Sequence, residues 1–210
     1  MVDRAPPSHL ISRVTQGDRA ALGDLLEQHR HRFFNVAIRM VGHREDAAEV
    51  TQDAMLKIIE GIGTFQGQAA ITTWMIRIIM NTAISHLRKG RLRQTVSLDA
   101  PGAADADRAG GGIQEQLADH REPTPDQGVQ HQELIRCLKD AISRLDTDSH
   151  SVLVLRDIDQ MDYQQISEVL EIPVGTVKSR LFRARLSLRN QMLEQSTPPP
   201  TQAVPRKGMG

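Results

Sequence analysis

Cysteine is almost missing from this chain: Cys137 is the only one among 210 residues. A single thiol excludes an intrachain disulfide and points to a reducing compartment. It falls in an apolar helical pattern with Leu134, Leu138 and Ile142, so it reads as a small buried hydrophobe and not as a catalytic thiol. Aromatics are scarce, at 3%, and alternating β-branched runs are nearly absent, which argues against strands and for an all-α fold. No apolar run approaches the length of a membrane span, and Met1 to Ser8 lack the apolar core of a signal peptide. The expected setting is soluble and cytoplasmic, with no membrane insertion. Gly61-Ile62-Gly63 and Gly110-Gly111-Gly112 lack the strand–turn–helix context of a nucleotide site. The eight histidines build no metal site; His29 and His31, two apart on a helix, point in different directions. No nucleophile–base constellation is legible, so the chain reads as a non-enzyme without cofactor or metal.

Net charge is also missing, with 26 basic against 26 acidic residues, but the balance hides an uneven distribution. Residues 1–96 hold 13 basic and 9 acidic side chains, residues 97–130 hold 2 and 7, and residues 131–210 hold 11 and 10. No acidic residue lies between Glu60 and Asp99, a span that contains Arg77, Arg88, Lys89, Arg91 and Arg93. Two basic zones separated by an acidic segment suggest two contacts with a polyanion.

Helical periodicity is what the chain does have. A short helix bears Leu10, Ile11 and Val14. A longer one spans about Arg19 to Met40, with Leu22, Leu25, Leu26, Phe33, Val36, Ala37 and Met40 inward and Gly42 at its end. The next, from Arg44 to about Ile62, places Ala47, Val50, Ala54 and Ile58 on one face. After a loop containing Gly63 and Gly67, a fourth helix runs from Ile71 to Arg93, and the four form a bundle over residues 1–95. Residues 96–130, rich in Ala, Gly, Asp, Pro and Gln, read as a flexible acidic linker. Residues 131–194 form a second helical domain, and 195–210, with Pro198-Pro199-Pro200, a disordered tail.

The second domain carries the sharpest local signal. A helix over Tyr163 to Leu170, with Ile166, Val169 and Leu170 inward, is followed by a tight turn and a basic helix. From Gly175 to Leu193 there are five Lys or Arg and no Asp or Glu. Val177, Leu181, Ala184 and Leu188 share its inner face, Thr176, Ser179, Arg180 and Arg183 another, and Lys178, Phe182, Arg185 and Arg189 a flanking stripe. Pro173 suits a first helical turn. Two helices at this spacing make a helix-turn-helix, whose second helix enters a DNA major groove. In the first domain Asp46, Glu49 and Asp53, spaced i, i+3 and i+7 beside Gln52, form an acidic helix face suited to a basic protein surface.

These motifs, in this order, resemble the extracytoplasmic-function (ECF) type of RNA polymerase sigma factor, in the sigma-70 family. Asp46 to Asp53 resembles that family's polymerase-binding helix. Phe65-Gln66-Gly67 through Thr73-Trp74-Met75-Ile76-Arg77-Ile78 to Asn81 resembles its −10 reading and melting segment. Leu153-Val154-Leu155-Arg156-Asp157, Tyr163-Gln164-Gln165-Ile166 and Pro173-Val174-Gly175-Thr176-Val177-Lys178-Ser179-Arg180-Leu181 resemble its −35 domain. The resemblance implies a dissociable specificity factor that binds core RNA polymerase and promoter DNA and is commonly held by an anti-sigma protein. It implies polymerase binding through Asp46, Glu49, Gln52 and Asp53. It implies −10 contacts from Phe65, Gln66, Gln68, Trp74, Arg77, Asn81, Arg88 and Lys89. Trp74 itself has two readings, stacking on an unpaired base or support of the core or wedge, and its place one turn from Ile71 and Ile78 favours the second, with the Phe65–Ala70 loop and nearby Asn81 as the expected base pocket. The resemblance implies −35 contacts from Thr176, Lys178, Ser179, Arg180, Phe182, Arg183 and Arg185. The chain departs from the pattern at Ile71 (usually Phe), Met80 (usually Arg), Asp146 (usually Pro) and His150 (usually Arg). Expected consequences are a lost phosphate contact at Met80 and altered packing where the second domain begins. The alternative is a stand-alone helix-turn-helix regulator, with residues 1–96 as a sensing or dimerisation domain.

Overall fold

The computed structural model describes residues 8–97 and 125–196, and every regular element among them is helical. Most of the expected linker, residues 98–124, and the expected tail from 197 onward lie outside the described residues.

The N-terminal module has four helices: α1 (Ser8–Thr15), α2 (Arg19–Val41), α3 (Arg44–Gly61) and α4 (Ile71–Ser97). Asp18 starts α2 by accepting hydrogen bonds from the Ala20 and Ala21 amides, satisfying donors that a helix N-terminus leaves open. The Ala21 amide and then Arg13 hold its carboxyl below the usual range. Gly42 ends α2 at φ 83°, with its amide bonded to the Ile38 carbonyl; that left-handed geometry favours glycine. Every inward residue expected on α2 and α3 is buried. A 3-10 turn, Ile62–Thr64, and an irregular loop lead into α4, which packs Ile71, Met75, Ile76, Ile79, Met80 and Ala83 onto α2 and α3.

The C-terminal module comprises α5 (Pro125–Ser143), α6 (Thr147–Leu153), a π-helical turn (Val154–Ile158), α7 (Tyr163–Leu170) and α8 (Val174–Ser196). Helix α5 begins inside the stretch read as linker, with Pro125 in the first position, where its missing amide costs nothing. Leu134 is exposed and Cys137 only half-buried, so the expected apolar face of α5 is narrower than its periodicity suggested. Asp146, one of the departures, caps α6 through the Ser149 amide at 2.8 Å. Helices α5, α6 and α7 all pack on α8, around Val152, Leu155, Met161, Ile166, Val169, Val177, Leu181 and Ala184.

The two modules touch. Helix α4 packs against α7, and α2 against the π turn, so their apolar residues form one continuous cluster.

Candidate nucleic-acid interface

Helices α7 and α8 form the helix-turn-helix. A reciprocal capping box opens α7: Asp162 accepts from the Gln165 amide at 2.8 Å, and the Gln165 side chain accepts from the Asp162 amide at 2.9 Å. Glu171 ends α7 in the left-handed region, φ 55° and ψ 41°, and its amide donates to the Ser167 carbonyl. The Ser167 hydroxyl donates to the Ile172 carbonyl at 2.6 Å. Pro173 stands just before α8, one step earlier than expected, and its carbonyl accepts from the Thr176 and Val177 amides.

The outer face of α8 presents Lys178, Ser179, Phe182, Arg183 and Arg185 to solvent, with Thr176 and Arg180 partly covered. Its cations differ in what holds them. Arg180 is paired with Asp148 of α6 at 2.7 Å. Arg185 is paired with Asp157 of the π turn, a bond that raises its pKa. Lys178 lies over the Tyr163 ring at 5.7 Å, with Arg156 also over it at 5.1 Å. Arg183 makes only a long 3.4 Å bond to its own helix at Ser179.

In the N-terminal module the expected base pocket is a groove of about 440 Å³. One wall is Thr64, Phe65, Gln66, Gln68, Trp74 and Arg77. Phe65 and Trp74 meet at 5.5 Å between ring centroids, tilted by 55°, and the Gln66 and Gln68 amides bond at 3.0 Å. Trp74 is half-buried, placed both to support the loop and to reach the groove. Asn81, Arg88 and Lys89 are exposed farther along α4. Met80 is fully buried, so the expectation of a missing phosphate contact there is corrected: this position faces the core, where a guanidinium would be desolvated.

The other wall of the groove is Ser167, Glu168 and Glu171 of α7 and the turn after it. Periodicity gave no sign of this. Arg77 is paired with Glu171 at 3.1 Å. Nearby, Arg32 of α2 makes a two-pronged pair with Asp159, at 2.7 and 2.9 Å, with Asp159 only 6% exposed. His150 bonds the Arg39 backbone, and burial pushes its pKa down to about 4. The departure at His150 thus falls on the contact between modules.

On α3, Glu49, Gln52 and Asp53 are exposed. Asp46 is half-exposed, 3.5 Å from the His86 imidazole. Leu56 and Ile59, 52% and 49% exposed, extend this surface. They are apolar residues off the buried Ala47–Ile58 face, a signal present in the sequence but passed over. Among the described residues no group of three or more His, Cys, Asp or Glu is arranged to hold a metal ion, and no helix is long and apolar enough to cross a membrane.

Comparison with known proteins matches residues 25–93 to sigma-70 region 2 and residues 135–188 to sigma-70 region 4. The sigma-H factor of Pseudomonas aeruginosa is 31% identical over 188 residues, covering 88% of this chain and 93% of that protein. The ECF sigma-E factor of Haemophilus influenzae is 32% identical over 193 residues, covering 91% and 98%. The sigma factor RpoE of Bartonella quintana, solved with the anti-sigma factor NepR, shares the fold at a TM-score of 0.61 and 19% identity, over 83% of this chain and 98% of that one.

Proposed function

Because this chain belongs to the ECF type of sigma-70 family RNA polymerase sigma factors, and so directs polymerase to promoters, we propose that each surface described above serves one step of initiation. The face of α3 docks on a basic surface of core polymerase through Asp46, Glu49, Gln52 and Asp53, with Leu56 and Ile59 adding apolar area. Charges at the rim steer and orient, while the apolar patch adds desolvation. The groove beside Phe65, Gln66, Gln68 and Trp74, with Asn81 nearby, captures an unpaired base of the −10 element. Such capture must repay an unstacking cost of a few kcal/mol. Arg77, Arg88 and Lys89 hold the adjoining backbone. Helix α8 reads the −35 element through Thr176, Lys178, Ser179, Arg180, Phe182, Arg183 and Arg185.

In this reading the protein contributes recognition and no chemistry of its own, and it works in the cytoplasm, where its polymerase is. The Bartonella relative was solved with an anti-sigma factor, and we extend a partner of that kind to this chain. The observation that carries the reading is the presence, on separate modules, of a basic major-groove helix and an aromatic-lined groove followed by exposed cations, with an acidic docking face between α1 and the groove in the chain. Transcription from a random-sequence promoter library tests it. Transcripts with a common upstream sequence should appear only when core polymerase and this protein are both present. Tight, sequence-specific DNA binding by the protein alone, unchanged by polymerase, would instead favour a stand-alone regulator.

A further inference from the structure

One side of α4 forms a continuous track from the groove to the helix's basic end. Trp74, Arg77, Asn81, Ser85, Arg88 and Leu92 recur at three- and four-residue steps, so they line up along one face. Trp74 and Arg77 are half-buried at the groove, whereas Asn81, Ser85, Arg88 and Leu92 are exposed. Leu92 stands 18 positions after Trp74, about five full turns and about 27 Å along the axis.

The core does not account for Leu92. The buried face of α4 is a different one, carrying Met75, Ile76, Ile79, Met80 and Ala83. Leu92 is 61% exposed, and among the large apolar side chains described only Phe182 of α8 is more open. Its neighbours are cationic on both flanks. Helical spacing puts Arg88 on one side of it and Lys89 and Arg93 on the other, all exposed, and no acidic residue occurs between Glu60 and Asp99. Cations on two flanks of an apolar tip match the cross-section of a duplex groove, where two phosphate strands border the base edges. Gly90 lies one turn or less from all four. Nothing stands within 4 Å of where its Cβ would be, so no packing need within the chain calls for glycine there, and the open space admits a close-lying backbone.

We propose that Leu92 is a base-reading residue: it enters the major groove of duplex DNA upstream of the −10 element and selects a thymine through its methyl group, while Arg88, Lys89 and Arg93 hold the bordering phosphates. Of the base edges in that groove only thymine presents a methyl, the natural contact for an apolar side chain. The chain leaves α4 at the Leu92 end toward the module that reads −35, which sets the contact on the upstream side of the captured base. The span of about 27 Å limits it to within about eight base pairs of that base. This rests on the reading of the groove beside Trp74 as the site of base capture.

The random-sequence promoter library, transcribed by core polymerase with the full chain, tests the assignment in three forms: parent, Leu92→Ala and Trp74→Ala. Leu92 is exposed, so its truncation should leave helical circular dichroism unchanged. The parent should enrich thymine by about fourfold, the ratio that burial of one methyl group supports, at one position upstream of the −10 element. Leu92→Ala should flatten that position and keep the preferences at both promoter elements. A parent library without such a position, or a Leu92→Ala library that retains it, overturns the proposal. Loss of every preference at once in Leu92→Ala would mark a polymerase contact and overturns it as well. Trp74→Ala separates the underlying reading: −10 preferences equal to the parent would defeat base capture in the groove, and with it the point from which the upstream position is measured.

Discussion

The cations of α8 divide by what already holds them. Arg180 and Arg185 are anchored to Asp148 and Asp157 of their own module, so replacing either disturbs the module's packing as well as any DNA contact. Arg183 is exposed and bonded only weakly to its own helix through Nε, which leaves its terminal guanidinium donors for a base edge. We predict that Arg183→Ala costs about 1–3 kcal/mol in promoter binding and relaxes preference at one −35 position. Equal losses on every promoter variant would make it a phosphate contact instead. His150 sets a second expectation. Its pKa is about 4 in the folded protein against 6.5 ordinarily, so between those values the unfolded chain binds more protons than the folded one. The stability contributed by neutral His150 is therefore present above pH 6.5 and is lost as pH falls toward 4, at up to about 1.4 kcal/mol per pH unit. Asp146 acts in a lower window, below its ordinary 3.8, because the Ser149 amide depresses its pKa. Urea unfolding from pH 7 to pH 4 should show a downward slope that His150→Gln flattens. A variant with the parent slope would remove His150 from the account.

At the scale of single helices, the α3 surface combines exposed carboxylates with Leu56 and Ile59 on a helix whose buried face is separate. Charge reversal there, Asp46→Lys with Asp53→Lys, should abolish capture by core polymerase while leaving helical circular dichroism intact, since exposed charges add little to stability. Pull-down equal to the parent would remove the docking role. Helices of this kind were legible in the sequence because one period governs both burial and spacing. Ala47, Val50, Ala54 and Ile58 recur at three- and four-residue steps and are all buried. The same logic identified Val177, Leu181 and Ala184 as the inner face of α8. It was also available for Met80, four residues after Ile76 and three before Ala83, but the family pattern suggested a surface position there. The α5 face misled in the opposite direction. Leu134 fits the period yet is exposed, because a helix at the edge of a module buries only the stretch that has a neighbour.

Across the whole molecule, little of the contact between modules could be read in advance. Arg32 and Asp159 are 127 positions apart, and a pair of distant charges leaves no periodic trace. Nor does any local rule predict a glutamate at the left-handed end of α7. The charge of the connecting stretch, by contrast, is plain in the sequence: residues 97–130 hold 7 acidic and 2 basic residues. A segment of that sign repels nucleic acid, and we predict that it influences the growing transcript. Replacing residues 98–124 with an uncharged Gly/Ser chain of equal length should preserve polymerase and promoter binding. It should change the ratio of abortive to full-length transcripts on one template. An unchanged ratio would reduce the segment to a tether.

The chain's one tryptophan stands where these scales meet. Trp74 lines the groove with Arg77, rests on Phe65, and passes close enough to Gly61 that a methyl group there would lie 3.6 Å from its ring. Indole emission shifts to longer wavelength when water replaces protein around the ring, and it is quenched when a nucleobase stacks on it. With the indole excited selectively over Tyr163, opening of the groove to water and capture of a strand would give distinguishable signatures, a red shift with freer access to acrylamide for the first and a loss of intensity for the second. The molecule therefore carries its own label for the order of these events, readable in a stopped-flow trace of the unmodified protein.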